Sequence, residues 1–215
     1  GGYKEVVTGL INTLIIALVA LVLGIIIGTI IAAIEVQPRK GKVLDILRRI
    51  CSIYVAFFRG TPIVVQLLLG YFVLLPLFGW NLPSVAVAII IMGLNSGAYV
   101  SEIMRSGILS VDIGQMEAGR AMGLGYGTTM QKIIIPQAVK NILPALGNEF
   151  VVMVKETSLA SVFFVGELMT SYKTVQSTTF LAIPSLTIVG IIYFILNFIL
   201  TKILKVVERR LQASD

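Results

Sequence analysis

Apolar positions along this chain fall into five long stretches separated by short polar or charged segments. Residues 10–34 form a run of 25 without a charged side chain. At ~1.5 Å per residue a helix of that length crosses a ~30 Å hydrocarbon core with some tilt. The run is too long for the apolar part of a signal peptide, and no A-x-A site follows it. Residues 60–101 hold 42 positions without charge, room for two spans. The turn formers Gly79-Trp80-Asn81-Leu82-Pro83 divide them, and Trp80 suits a membrane–water interface. The second span is therefore predicted over 63–78 and the third over 84–104. A fourth, the least apolar, covers 137–155, and a clean fifth covers 183–204. Segment 42–57 has a different pattern. Val43, Ile46, Leu47, Ile50, Ile53, Tyr54 and Phe57 recur at helical spacing, with Lys42, Asp45, Arg48 and Arg49 largely opposite. That pattern predicts a helix lying on the interface. It should stop at Arg59-Gly60-Thr61-Pro62, with Thr61 as a cap and Pro62 in the first turn of the next helix.

Composition supports a membrane solvent. Of the 215 residues, 57% are hydrophobic and 13% charged, and the mean hydropathy is +0.96. Disorder needs the opposite balance, and charge-free runs of this length suit helices rather than alternating barrel strands. The expected fold is an all-α integral membrane protein of five spans, one domain over residues 1–215. Of its 17 basic residues, 14 fall in 35–59, 105–140 and the tail after 201. In a five-span chain these segments share one side, which puts the N-terminus outside and the C-terminus inside. The net charge of +6 is then a positive-inside bias, and no nucleic-acid partner is expected. The chain has no histidine and a single cysteine, Cys51. His-based triads and Cys-cluster metal sites are excluded. No G-x-x-x-x-G-K-[ST] occurs, so no phosphate-binding loop for ATP is expected.

The longest cytoplasmic segment, 106–136, carries more pattern than a linker. It reads Glu117-Ala118-Gly119-Arg120-Ala121-Met122-Gly123, then nine residues, then Ile133-Ile134-Ile135-Pro136. Glu117 to Met122 suits a short helix ended by Gly123. Gly125 and Gly127 suit a turn, and Thr128 or Thr129 suits the cap of a second short helix ending before Pro136. Two short helices at an angle would make a knob, although spacing alone leaves an ordinary surface loop open. The segment resembles the "EAA" loop of permease subunits of ATP-binding-cassette importers, E-A-A-x3-G-x9-I-x-L-P. Glu117, Ala118, Gly123, Ile133 and Pro136 match in register. Gly119 replaces the second alanine, and Ile135 replaces the leucine. Phe58-Arg59-Gly60-Thr61-Pro62 with Gln66, Ala98-Tyr99-x-x-Glu102-Ile103-x-Arg105, and Lys155-Glu156-Thr157-Ser158-Leu159 are similar to the polar amino-acid uptake family of these permeases. The resemblance spans most of residues 8–210.

The resemblance implies a multi-pass subunit of a bacterial cytoplasmic membrane that moves polar amino acids and has no enzymatic activity of its own. It implies a separate ATPase subunit holding ATP and magnesium, a second permease copy or paralogue, and an extracytoplasmic amino-acid-binding protein. Glu117, Ala118, Gly119, Gly123, Ile133 and Pro136 would couple the chain to the ATPase. No cofactor or metal would be bound by this chain. A stand-alone secondary transporter or channel, and a membrane scaffold, are the rival functions. The lack of a visible internal repeat speaks against the first rival.

Polar side chains inside spans mark candidate substrate positions, because burying them in lipid is unfavourable. The fourth span holds Asn148, Glu149, Lys155 and Glu156. Glu149 and Glu156 share one helical face, and Asn148 and Lys155 share the adjacent one. This stripe suits a zwitterion, and equally suits a Glu–Lys pair that only holds the bundle together. In the third span Asn95 and Tyr99 are ligand candidates, whereas Glu102 is placed to pair with Arg105 at i+3. Segment 158–172 should bend back beside a cavity, adding Ser158 and Glu167. The excess of carboxylates points to basic over neutral substrates. Gly24 and Gly28 are assigned to helix packing.

Overall fold

The computed structural model describes residues 2–38 and 41–212, which are helical almost throughout. Eight helices are used below: α1 (Gly2–Glu35), α2 (Lys42–Gly60), α3 (Ile63–Leu77), α4 (Ser84–Leu109), α5 (Ile113–Ala121), α6 (residues 126–156), α7 (Leu168–Thr179) and α8 (Ala182–Gln212). Arg39 and Lys40, which carry part of the charge bias, lie outside the described residues.

The core is the α1–α4 pair, and small residues create it. Thr13, Ala17, Ala20, Gly24, Gly28 and Ala32 form one buried stripe along α1 at three- and four-residue spacing. A Cβ added to Gly28 would lie 2.7 Å from the Ser101 backbone nitrogen, and one on Gly24 would lie 2.8 Å from Ser96 Oγ. In lipid, where apolar surface alone does not drive helices together, such close backbone approach is what packs them. The opposite face of α1 presents Ile11, Ile15, Leu18, Val22, Ile26 and Ile30 outward.

Among the described residues, α1, α4 and α8 are long and apolar enough to cross a membrane unaided. The amphipathic helix predicted over 42–57 is α2, which buries Cys51 and Val55 and exposes Val43, Ile46, Ile50 and Ile53. The chain then bends by 105° into α3. Thr61 does not cap α3. Its hydroxyl donates back to the Phe57 carbonyl at 2.8 Å, and Pro62 holds the N-cap position. The threonine thus closes the end of α2 instead of opening α3.

A second correction concerns Pro136. No short helix ends before it. α6 runs continuously through a π-helical turn, Met130–Ile134, in which the Ile135 N–H reaches the Met130 carbonyl. The same device, Gly70–Leu74, precedes Pro76 in α3. A proline removes an N–H donor and crowds the carbonyl four residues back; one wider turn relieves both, so the helix continues. After α6 the chain tightens into a 3-10 turn, Thr157–Phe163, and an irregular stretch leads to α7.

Candidate functional site

The knob is built by α5 against the first turns of α6. Asp112 caps α5, its carboxylate accepting from the Gly114 N–H at 2.6 Å. At the other end the Gly123 N–H donates to the Arg120 carbonyl (3.0 Å) and the Leu124 N–H to the Gly119 carbonyl (3.1 Å). This pair of bonds needs a left-handed residue between them, and Gly123 supplies it at φ +84°. The helix is longer at its start than the sequence signalled, because Asp112 and not a residue near Glu117 begins it. Glu117 and Ala118 are exposed on its outer face, while Gly119 is buried against α6. A Cβ on Gly119 would lie 2.5 Å from Thr129 Cγ2, which accounts for glycine where the family pattern has alanine. Thr129 is fully buried and its hydroxyl donates to the Gly125 carbonyl at 3.1 Å. Ile133 is half-buried and Pro136 exposed.

Polar bonds tie the knob to the bundle. Tyr126 Oη donates to the Val36 carbonyl at the end of α1 (3.1 Å), and burial pushes its phenol above the ordinary value. Asn141 Nδ2 donates to Ser110 Oγ at 2.8 Å. Tyr126 carries little signal in the sequence beyond its place between Gly125 and Gly127.

The candidate transport residues divide among several neighbourhoods. Glu149 of α6 accepts from Ser96 Oγ of α4 at 3.0 Å, at the level where Gly24 of α1 meets Ser96. Asn95 is turned elsewhere. Its amide donates to Gln66 Oε1 (2.9 Å) and to the Phe58 carbonyl (3.2 Å), and Gln66 Nε2 in turn donates to the Phe58 carbonyl and to Thr61 Oγ1. This clamp fixes the α2–α3 bend. Tyr99 is 39% exposed, with the Arg59 guanidinium 5.5 Å above its ring centroid.

Lys155 and Ser158 line a cavity of about 420 Å³ together with Met169, Tyr193, Phe194 and Asn197. Asn148 is exposed and Glu156 half-buried. Glu167 is fully buried and caps α7. Its carboxylate accepts from the Met169 N–H (2.7 Å), the Thr170 N–H (2.7 Å), Thr170 Oγ1 (2.9 Å) and Tyr193 Oη (3.0 Å). Tyr193 and Asn197 lie in the stretch that reads in sequence as a clean apolar run, where two isolated polar groups carry no spacing signal. No group of three or more Cys, Asp or Glu side chains suited to a metal ion occurs among the described residues.

Comparison with known proteins gives the same direction. The chain is 40% identical over 187 residues to the arginine transport system permease protein ArtQ of Bacillus subtilis (strain 168), covering 81% of this chain and 85% of that protein. It is 35% identical over 168 residues to the glutamine transport system permease protein GlnP of Escherichia coli (strain K12), covering 78% and 77%. A crystal structure of an amino acid ABC transporter with histidines matches with a TM-score of 0.90 at 39% identity, over 97% of this chain and 94% of that one. The inward-facing MetNI methionine ABC transporter shares the fold, with a TM-score of 0.80 at 18% identity over 97% of each chain. Residues 24–213 match the family described as binding-protein-dependent transport system inner membrane component, and the chain belongs to that family.

Proposed function

We propose that this chain is the membrane subunit of an ATP-driven importer of polar amino acids, working with a separate ATPase and an extracytoplasmic binding protein. The observation that carries this is the knob. Glu117 is presented outward on a short helix whose two ends are fixed by Asp112 and Gly123. A rigid projection of this kind transmits the movement of a motor domain to the helices behind it. ATP and magnesium belong to that partner chain. Relatives named for arginine and glutamine support the substrate class.

Five spans over residues 1–215, with the N-terminus outside and the C-terminus inside a bacterial cytoplasmic membrane, fit the basic-residue bias. α3 alone reaches only ~22 Å of a ~30 Å core, so this reading has it completed by the bend from α2. α6 provides the remaining span. One such bundle encloses no complete pathway, and a second permease copy or paralogue supplies the other wall. On this reading Glu149, Lys155, Glu156 and Asn148 face the substrate, with Tyr99 and Ser158 at its edges. Asn95 and Glu167 hold the elements that frame it. The carboxylates favour basic substrates.

The test is purification from its native membrane followed by ATP hydrolysis with each amino acid and the binding protein. Co-purification of an ATPase subunit and stimulation by polar amino acids is the expected result. A chain that purifies alone and moves amino acids without ATP would overturn the proposal.

A further inference from the structure

Arg59 sits on a pair of groups that together make a good cation site. Its guanidinium carbon lies 5.5 Å over the Tyr99 ring centroid, and Nη1 lies 3.8 Å from Glu102 Oε1. An aromatic face beside a carboxylate one helical turn away is suited to a guanidinium or ammonium group. Tyr99 and Glu102 both lie on α4, one turn and two turns beyond Asn95. They occupy the stretch between the Ser96–Glu149 contact and the knob.

Arg59 is not fixed there as a buried ion would be. Its side chain is 44% exposed, that of Glu102 is 33% exposed, and the contact is long. Glu102 is also shared, its second oxygen lying 3.5 Å from Arg105, which turns to Glu35 as well. Exposed ion pairs of this geometry are weak and exchange readily with other cations. The backbone that carries Arg59, by contrast, is held firmly by the Gln66–Asn95 clamp. The side chain can leave the site while its anchor stays.

We propose that Tyr99 and Glu102 form a binding site for the cationic side chain of a basic amino acid, and that Arg59 fills it as an internal substitute until such a side chain displaces it. The inference rests on the importer reading and adds a position that the polar stripe does not include. It gives a basic substrate a second station after Glu149. A small neutral amino acid brings no side-chain cation to exchange for Arg59, so the site gives it no corresponding advantage.

Calorimetric titration of the purified complex tests this with two probes, L-arginine and its uncharged isostere L-citrulline. Arg59→Gln should tighten L-arginine binding by about two- to fivefold, the scale of removing one internal competitor from an exposed ion contact. L-citrulline binding should be unchanged. Adding Tyr99→Leu should cancel the gain. Arg59→Lys, which keeps the charge but stacks less well on a ring, should fall between, and it decides the matter if the glutamine variant does not assemble. Equal changes for both probes, no change for L-arginine, or a gain that survives Tyr99→Leu would each overturn the site. Failure of the importer reading would show separately, as a wild-type complex without an ATPase subunit.

Discussion

Replacing Gly123 by valine should uncouple transport from ATP hydrolysis while leaving the chain inserted and folded. A Cβ at this position meets nothing within 4 Å, so the perturbation is confined to the backbone. A left-handed conformation costs an L-residue about 1–2 kcal/mol, and a β-branched residue more. The turn is closed by two hydrogen bonds, from Gly123 to Arg120 and from Leu124 to Gly119, each contributing about 0.5–1.5 kcal/mol. Penalty and closing energy are of the same size, so the variant turn is no longer the dominant form. Each ~1.4 kcal/mol is a factor of ten, so the ratio of native to other knob shapes should fall by about tenfold or more, which leaves about half of the knobs or fewer in the native shape.

Gly125 is the control. Its φ is −67°, a conformation open to any residue, and a Cβ there also meets nothing within 4 Å. Gly125→Val should therefore keep coupling within about twofold, since ~0.5 kcal/mol is the usual range of exposed substitutions without a special contact. The assay is amino-acid uptake per ATP hydrolysed by the complex in proteoliposomes, with thermal unfolding as the check on folding. Equal effects of the two valines, or wild-type coupling with Gly123→Val, would refute the reasoning.

Gly28→Ala should lower the unfolding temperature of the subunit, because its Cβ would press 2.7 Å from a backbone nitrogen that cannot rotate away; overpacking of this kind costs about 1–3 kcal/mol. Gly190→Ala, with nothing within 4 Å, should be neutral or slightly stabilising in the same melt, and the reverse order would discredit the packing account. Glu149→Gln and Glu156→Gln should reduce the ratio of basic to neutral amino-acid uptake by about tenfold or more, the scale of one charge-assisted hydrogen bond; an unchanged ratio in both variants would remove these carboxylates from selectivity. Cysteines placed near Trp80 and Lys173 should react with an impermeant reagent added outside sealed cells, whereas those near Lys42, Tyr126 and Arg209 should be protected. The opposite pattern would invert the proposed topology.

The helices on either side of the turn formers were readable because apolar runs and punctuation agree there. The 79–83 cluster separates α3 from α4, and the 42–57 face is the face α2 shows. What sequence misplaced lay where two local rules compete. Pro136 signals a stop, yet a π-helical turn absorbs it and α6 continues. Thr61 signals a start, yet it bonds backward to Phe57. α7 is not signalled in the sequence, because its N-cap is Glu167, outside the usual capping residues, and its body is rich in serine and threonine, which favour helices weakly. The knob was legible in register, but its true start at Asp112 precedes the motif.

The rule that a polar residue inside a span is functional needs a count of partners before it selects anything. Glu167 and Glu149 are both carboxylates among apolar helices, and the sequence treats them alike. Glu167 accepts four hydrogen bonds from its own chain, which fills both oxygens and leaves a ligand little to offer. Glu149 accepts one among the described residues, from Ser96, on one oxygen. A carboxylate has about four lone-pair sites, so Glu149 keeps most of its capacity at a half-buried position where an added cationic donor would be strongly favoured. Asn95 follows Glu167, since its donors are spent on the α2–α3 bend. On the proposed reading, partner count thus splits one class of residue into those that hold the frame and those that can still bind, and it places Glu149 among the latter.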